Sequence, residues 1–183
     1  LVEGKCTNRI IRQMLVEKIH IRPAGIGDAK QLFEWVNDKD VRLASFNPSP
    51  VLWESHLEWL QQKLQSKNSY FFIGENHLTN AIGQIRFDLN SQEKFFEISY
   101  SLDKCFRGLG LGKFFLKAGL EKLRTKIDHS ILIKGSVKDK NIASKMSFEH
   151  CGFSFQKDKS EINKTHGIYH LELHPDNNHK ISN

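Results

Sequence analysis

The chain has 183 residues, a length typical of one domain, with 39% hydrophobic and 26% charged residues. This composition provides a hydrophobic core and excludes a disordered, collagen-like or coiled-coil protein, and no apolar run is long enough to span a membrane. The 27 Lys and Arg residues against 21 Asp and Glu residues give a net charge of +6, which favours an anionic partner.

The first residues differ in character from the rest of the chain. Gly4 is followed by a short apolar, helix-like run, and we interpret residues 1–16 as an N-terminal arm. Because the chain begins with Leu1 and not with Met, we expect a fragment or a processed product. The domain proper is expected to cover residues 17–174, and the polar residues 175–183 are expected to form a flexible tail.

A strand and two helices are predicted next. Apolar and polar residues alternate over Lys18–Pro23, which predicts a strand that ends at the proline. Asp28, with Gln31 three residues later, is typical of a capping box at the start of a helix. The Asn-Pro-Ser-Pro segment at 47–50 breaks the chain and predicts a second helix with Ser49 as its N-cap.

Three strands follow in quick succession. Apolar and polar side chains alternate along them, so each strand turns one face toward the core. Short polar turns between them favour antiparallel pairing. The strands are predicted at Tyr70–Gly74, Ile82–Leu89 and Lys94–Leu102.

The second half of the chain alternates helices with strands. A glycine-rich turn at Arg107–Lys113 opens a helix that continues to about Arg124. Later elements are predicted at Ser130–Val137 (strand), Asn141–His150 (helix), Phe153–Gln156 (strand) and Ile168–Leu173 (strand). These elements predict one domain of the α/β (α+β) class, with a central mixed, mostly antiparallel sheet flanked by helices.

The turn at Arg107–Lys113 carries the strongest chemical signal. Its glycines let backbone N–H groups approach a ligand, and the N-terminus of the following helix is partially positive. Arg107 and Lys113 add to this charge where an acidic residue is usual, so the inferred ligand carries a phosphate. The turn lacks the patterns of a P-loop and of a dinucleotide fingerprint, and a purely structural turn is the alternative.

Two segments resemble the GNAT N-acetyltransferases. One is similar to the acetyl-CoA loop of that family, namely Arg107-x-x-Gly110-x-Gly112 between a strand and a helix. The other is similar to a later helix of the family, namely Asn141-x-x-Ser144-x-x-x-Phe148-x-x-x-Gly152-Phe153. The order of strands and helices agrees over residues 18–174. The resemblance implies a GNAT-like domain and an acyltransferase whose co-substrate is acetyl-CoA.

The resemblance also implies which residues contact the coenzyme. The N–H groups of Gly108–Lys113 are expected to hold the pyrophosphate, and Asn141 to contact the coenzyme further along. The strand end at Tyr100–Leu102 is expected to pair with the pantetheine arm where two strands splay apart. The Leu102 N–H is expected to polarise the thioester carbonyl. The expected coenzyme residues are Tyr100, Ser101, Leu102, Arg107, Gly108, Leu109, Gly110, Leu111, Gly112, Lys113 and Asn141.

Three residues are candidates for catalysis. Glu97 lies on the polar face of the strand beside the expected coenzyme and is the candidate general base, with an ordinary solvent-facing carboxylate as the alternative. His56 could face the acceptor, although a histidine on an apolar stripe is more often part of the core. The family often has Tyr where this chain has Phe148, so water, Ser147 or Tyr100 replaces that general acid, or none is needed.

The front of the domain also resembles a particular subgroup. Residues 35–59 are similar to acetyltransferases that modify the 4-amino group of a nucleotide-linked sugar in pathways to pseudaminic and legionaminic acids. Residues 1–15 are similar to the C-terminal tail of the UDP-sugar hydrolase of that route, which implies a fusion to an upstream hydrolase domain. On this interpretation Arg42 and Arg86 meet the nucleotide phosphates and His56 meets the sugar.

Two rival functions stay open. One is a protein N-terminal acetyltransferase of the ribosomal-protein type, whose first helices look similar. The other is a degenerate, non-catalytic domain that senses acetyl-CoA, which Phe148 in place of Tyr favours. Nucleic acid and membranes are not expected as partners, whereas a homodimer is compatible with the resemblance.

No metal site is expected, and the cytoplasm is the expected location. His166, His170 and His174 have helical spacing but fall in a strand-like segment. Cys6 and the other two cysteines lack metal-like spacing, and three unpaired cysteines are typical of a reducing compartment.

Overall fold

A computed structural model of the chain describes residues 19–156 and 166–176. The predicted arm at 1–16, its similarity to a hydrolase tail, and the end of the predicted tail from residue 177 therefore lie outside the described residues. Within the described residues, no helix has the length and apolar character needed to cross a membrane.

The described part of the chain contains a seven-stranded mixed sheet. The strand order is β1-β2-β3-β4-β5-β7-β6, and all neighbours pair antiparallel except β4 and β5, which are parallel. This confirms the predicted mixed, mostly antiparallel sheet. The strands are β1 (His20–Pro23), β2 (Ser69–Glu75), β3 (Ala81–Asn90), β4 (Phe95–Leu102), β5 (Ile131–Lys138), β6 (Ser154–Gln156) and β7 (His166–Leu173).

Five α-helices are described, and they cover both faces of the sheet. They are α1 (Ala29–Val36), α2 (Lys39–Ala44), α3 (Trp53–Gln65), α4 (Gly112–Arg124) and α5 (Ile142–His150). The alternation along β2 separates the two cores: Phe72 packs with α4 residues, whereas Phe71 and Ile73 pack with α1 and α3. The face that carries α1 and α3 is called the acceptor face below.

The parallel strands β4 and β5 separate at their C-terminal ends. Their pairing ends at Glu97 and Lys134, although both strands continue. At this point Phe148 of α5 packs against Gly135: a Cβ on that glycine would lie 2.5 Å from the Phe148 ring and 3.1 Å from Ile98. The resulting gap between the strands is the splayed edge that the resemblance implies.

Two predicted helix caps are wrong. Asp28 makes no cap for α1, because its carboxylate accepts hydrogen bonds from the Gly25 N–H and from the Arg22 guanidinium. Ser49 does not cap α3, which begins after Leu52 and has no side-chain cap. The intervening α2 was not predicted, and Asp38 caps it.

Candidate active site

One cleft of about 1850 Å³ brings the predicted site residues together. It opens at the gap between β4 and β5 and extends along the acceptor face. Every residue predicted for the coenzyme, the acceptor or catalysis lines this cleft except Leu109. Arg42 and Asn141, two predicted site residues that are 99 positions apart in sequence, thus share one site.

The backbone of β4 presents polar groups to the gap. The Asp103 N–H donates to the Ile82 carbonyl at 2.8 Å, so the backbone of Asp103 is directed toward β3. Along an antiparallel pair, successive residues alternate between hydrogen-bonded and non-hydrogen-bonded positions. The backbone groups of Ser101 therefore point toward β3, whereas those of Tyr100 and Leu102 point into the gap. The predicted backbone role thus fits Tyr100 and Leu102 but not Ser101, whose hydroxyl accepts a hydrogen bond from Gln84 at 3.3 Å.

The glycine-rich turn has a backbone that needs its glycines. Gly108 and Gly110 adopt φ of +73° and +69°, a region that residues with a Cβ rarely occupy. Gly112 allows α4 to approach α5, because a Cβ there would lie 2.7 Å from the Ser147 hydroxyl oxygen. The first turn of α4 contains no acidic residue and no side-chain cap, so the helix dipole is not compensated there.

The other residues of the turn differ in what they offer a ligand. Leu111 is 1% exposed and anchors the turn in the core. The Lys113 ammonium lies 5.2 Å from the centre of the Phe114 ring. Asn141 caps α5, with its side-chain oxygen 3.1 Å from the Ser144 nitrogen, so its amide nitrogen is the atom we assign to a ligand. Leu109 is half-buried and does not line the cleft.

Arg107 was expected to bind the coenzyme, but the structure gives its side chain other partners. Its Nε donates to the Leu102 carbonyl at 2.9 Å. Its Nη1 donates to the carboxylates of Asp38 at 2.6 Å and Asp40 at 3.2 Å. The guanidinium therefore connects the turn to α2.

Glu97 lies on the acceptor face at the point where β4 and β5 separate. Its side chain is exposed to the cleft, and it makes no hydrogen bond or ion pair with the residues that the structure describes. It faces Asp88 across the β3–β4 pair, and that carboxylate is held by Arg86 and Lys63. Glu97 is thus the unpaired carboxylate beside the gap.

Tyr100 projects to the opposite face, toward α4 and α5. Its hydroxyl lies 3.4 Å from the Ser144 hydroxyl, and its ring contacts Phe115 and Phe148. Burial raises the pKa of Tyr100, and its hydrogen bonds to Ser144 and Ser147 only partly oppose that effect. The phenol therefore keeps its proton at neutral pH and can donate it.

Phe148 fills the position where the family often has Tyr. It is 3% exposed and packs edge-on against Phe153 and close to Tyr169. This ring forms the floor of the gap, and it has no proton to donate.

His56 lies at the inner wall of the cleft, where its side chain is almost entirely buried. The side chain is 2% exposed, and its Nε2 lies 2.9 Å from the Ala29 carbonyl oxygen, which joins α3 to α1. It packs among Phe33, Trp53 and Trp59. This arrangement matches the core histidine that was the alternative, and we do not assign His56 a chemical role.

The two arginines expected to bind the acceptor differ in their partners. Arg86 donates to Asp88 at 2.6 Å and stacks over the Trp59 ring at 4.8 Å, so its charge is already compensated. Arg42 is half-buried and bonds only to neutral groups, the carbonyls of Asn47 and Ser49 and the Ser45 hydroxyl. Burial removes the Arg42 guanidinium from water and thereby lowers its pKa.

Sequence reasoning missed two groups at this site. Gln84 lines the cleft, and its side-chain oxygen is buried without a hydrogen-bond partner among the described residues. Asp38 and Asp40, which bind Arg107, were also missed. The alternation along β3 could have placed Gln84 on the polar face, whereas no local pattern links Asp38 to a residue 69 positions away.

The described residues contain no group of three or more His, Cys, Asp or Glu side chains that could hold a metal ion.

Comparisons with known proteins agree with this geometry. The family model described as "Acetyltransferase (GNAT) domain" matches residues 18–154, well over half of the chain. No curated protein matches the sequence. Many solved structures share the fold.

Three solved structures illustrate that similarity. Spermidine N-acetyltransferase from Vibrio cholerae, in complex with CoA and spermine, is 17% identical with a TM-score of 0.71, over 86% of this chain and 96% of that one. A ribosomal L7/L12 alpha-N-protein acetyltransferase in complex with coenzyme A has the same four values. AAC(6′)-Ib, in complex with paromomycin and acetyl-CoA, is 16% identical with a TM-score of 0.68, over 84% and 92% of the two chains.

Proposed function

The chain belongs to the GNAT acetyltransferase family, and we propose that it acetylates the amino group of a nucleotide-linked 4-amino-4,6-dideoxy sugar. The transfer of an acetyl group from acetyl-CoA to an amine follows from the family. The identity of the acceptor is the proposal, and the observation that carries it is the half-buried Arg42 beside the cleft.

The coenzyme side of the cleft suits acetyl-CoA. The gap-facing backbone of Tyr100 is available to the amide groups of a pantetheine arm, whereas the Leu102 N–H is left for the thioester. The turn at 108–113 and the uncompensated N-terminus of α4 suit a pyrophosphate, which is anionic and accepts hydrogen bonds. Lys113 adds a positive charge beside this position, and the amide nitrogen of Asn141 is a further donor.

Three groups of the chain supply the chemistry of the transfer. The amine must lose a proton, and we assign that proton to Glu97, directly or through a water molecule. The Leu102 N–H points into the gap, where it can donate to the oxyanion that develops on the thioester oxygen. The departing thiolate needs a proton, which we assign to the Tyr100 hydroxyl because Phe148 has none to give.

The acceptor side of the cleft favours a phosphate. Arg42 lines the cleft, holds a full positive charge and bonds only to neutral oxygens and a hydroxyl among the described residues. A phosphate would stabilise that charge through two charge-assisted hydrogen bonds. Arg86 is less suited than the sequence predicts, because Asp88 already neutralises it. The buried oxygen of Gln84 could accept a hydrogen bond from an amine or a sugar hydroxyl.

The proposal is tested by thiol release from acetyl-CoA with three acceptors: a UDP-linked 4-amino-4,6-dideoxy sugar, the same sugar without UDP, and an N-terminal ribosomal peptide. We expect turnover with the first and much weaker turnover with the second. In Arg42→Gln the KM for the UDP-sugar should rise about 10- to 100-fold, the loss expected for a charge-assisted contact, with an unchanged KM for acetyl-CoA. Arg124→Gln, which removes an equal charge from the exposed end of α4, is the matched control.

The rival functions predict different outcomes. Turnover with the peptide alone would identify a protein N-terminal acetyltransferase. Tight binding of acetyl-CoA without turnover of either acceptor would favour the sensing domain. Equal turnover of the sugar with and without UDP would contradict the phosphate-binding role of Arg42.

A further inference from the structure

We propose that Arg107 is a positioning residue that couples the coenzyme turn to α2, the wall of the acceptor cleft. The inference rests on the proposed binding of CoA in the turn at 108–113, but it does not depend on which amine is acetylated. It adds to the expectation that Arg107 contacts the coenzyme, because the guanidinium Nη2 has no hydrogen-bond partner among the described residues and Arg107 lines the cleft.

On the coenzyme side, Arg107 holds the end of β4. It is the first residue of the turn, and its Nε donates to the Leu102 carbonyl at 2.9 Å. Leu102 is the last residue of β4, and its backbone faces the gap. The hydrogen bond occupies the Leu102 carbonyl and leaves the Leu102 N–H as the group directed at a thioester. Ordering of the turn by a coenzyme therefore also fixes the Arg107 guanidinium.

On the acceptor side, Arg107 holds the start of α2. Its Nη1 lies 2.6 Å from an oxygen of Asp38, and that same oxygen accepts the N–H groups of Asp40 and Val41 at 3.1 and 3.2 Å. One carboxylate atom thus caps α2 and binds the arginine. Burial acts to raise the pKa of Asp38, but the hydrogen bonds from Arg107 and the backbone outweigh it and lower that pKa.

The helix that Arg107 holds is a wall of the acceptor cleft. Residues 40–46, which include most of α2 and Arg42, line the cleft. The opposite end of this segment is fixed from β5, because the Lys138 ammonium donates to the carbonyls of Leu43 and Ser45. With six residues, α2 has few contacts of its own, and no α2 residue is fully buried. Arg107 and Lys138 thus hold the two ends of the segment, and the Phe46 ring packs against His166. Of these residues only Arg107 belongs to the coenzyme turn.

Hydrogen exchange with CoA tests the coupling without any acceptor. In the unmodified chain, saturating CoA should slow amide exchange both in the turn at 107–113 and in α2, by about threefold or more in α2. In Arg107→Gln, CoA should still slow exchange in the turn but not in α2. Asp38→Ser should behave in the same way, because serine remains a good N-cap but is too short to reach the guanidinium.

Asp38→Ser separates this role from coenzyme binding. The variant keeps the arginine and its charge, so its Kd for CoA by titration calorimetry should stay within about twofold of the unmodified value. The matched control is Arg22→Gln, which breaks an ion-pair cluster of the same kind with Asp28 and Glu75 outside the site. This control should lose stability but retain the slowing of exchange in α2 by CoA.

Three results would overturn the inference. Slower exchange in the turn without slower exchange in α2, in the unmodified chain, would refute the coupling and leave the coenzyme site intact. If CoA slows amide exchange in α2 to the same extent in both Arg107→Gln and Asp38→Ser, the coupling runs through other residues. No slowing in the turn itself would contradict the proposed coenzyme site and, with it, this inference.

Discussion

The ring of Phe148 occupies the space that a side chain on Gly135 would need. A Cβ at that glycine would lie 2.5 and 2.6 Å from two ring carbons, closer than non-bonded carbons approach each other. Phe148 thereby packs over β5 just beyond the last residue that pairs with β4, at the point where β4 and β5 separate. Phe148, which stands where the family often has a proton-donating Tyr, thus also packs at the opening of the gap.

Gly135→Ala should destabilise the protein. The added methyl group must displace the Phe148 ring or move β4 and β5 further apart, a change that typically costs about 1–3 kcal/mol. For a domain of this size, thermal denaturation should show a loss of about 2–10 °C. Ser136→Ala changes the neighbouring exposed position and should have a much smaller effect. Equal stability of the two variants would show that the ring moves freely.

Tyr100→Phe should slow catalysis and leave coenzyme binding intact. We expect a loss of about 100-fold in kcat, as for removal of a general acid. Because burial raises the pKa of Tyr100 above its ordinary value, the unmodified phenol stays protonated through neutral and mildly alkaline pH. The rate should therefore show no decline from this group below about pH 10.

The control for that experiment is a tyrosine outside the site. The hydroxyl of Tyr70 lies 3.3 Å from the Lys126 carbonyl oxygen, and Tyr70→Phe should keep the full rate. If Tyr100→Phe also keeps the full rate, water or another group protonates the thiolate.

Glu97→Gln should lower kcat by about 100-fold, because the amide of glutamine cannot accept a proton from the amine. The control is Glu172→Gln, which alters an exposed strand carboxylate of β7. Unchanged kinetics across the whole pH range would remove Glu97 from the mechanism.

Gly110→Asp should abolish measurable binding of CoA. The substitution places a side chain and a negative charge in the turn, opposite to the charge that a pyrophosphate requires. Gly110→Asn is the matched control, since asparagine has nearly the same shape, tolerates the φ of +69° and is neutral. We expect CoA affinity to fall at least about 100-fold further in the aspartate variant than in the asparagine variant. Similar affinities would mean that the turn does not hold the pyrophosphate.

The sequence alone predicts most of the local structure and the position of the chemistry. All seven strands and the glycine-rich turn agree with the structure to within two residues, because side-chain periodicity and glycine placement are tied directly to the backbone. The polar face of β4 likewise identifies Glu97 as facing the cleft. Local sequence patterns are sufficient for features that depend on neighbouring residues in the chain.

The choice of partner for each polar side chain is decided by the tertiary structure. Arg107 binds Asp38, 69 residues away, and His56 donates inward to the Ala29 carbonyl. Both Arg42 and Arg86 were predicted to bind phosphates. In the structure Asp88 neutralises Arg86, whereas Arg42 bonds only to neutral groups among the described residues. A charged side chain takes the nearest opposite charge or hydrogen-bond partner that folding provides, and those distances exist only once the sheet and its helices have packed.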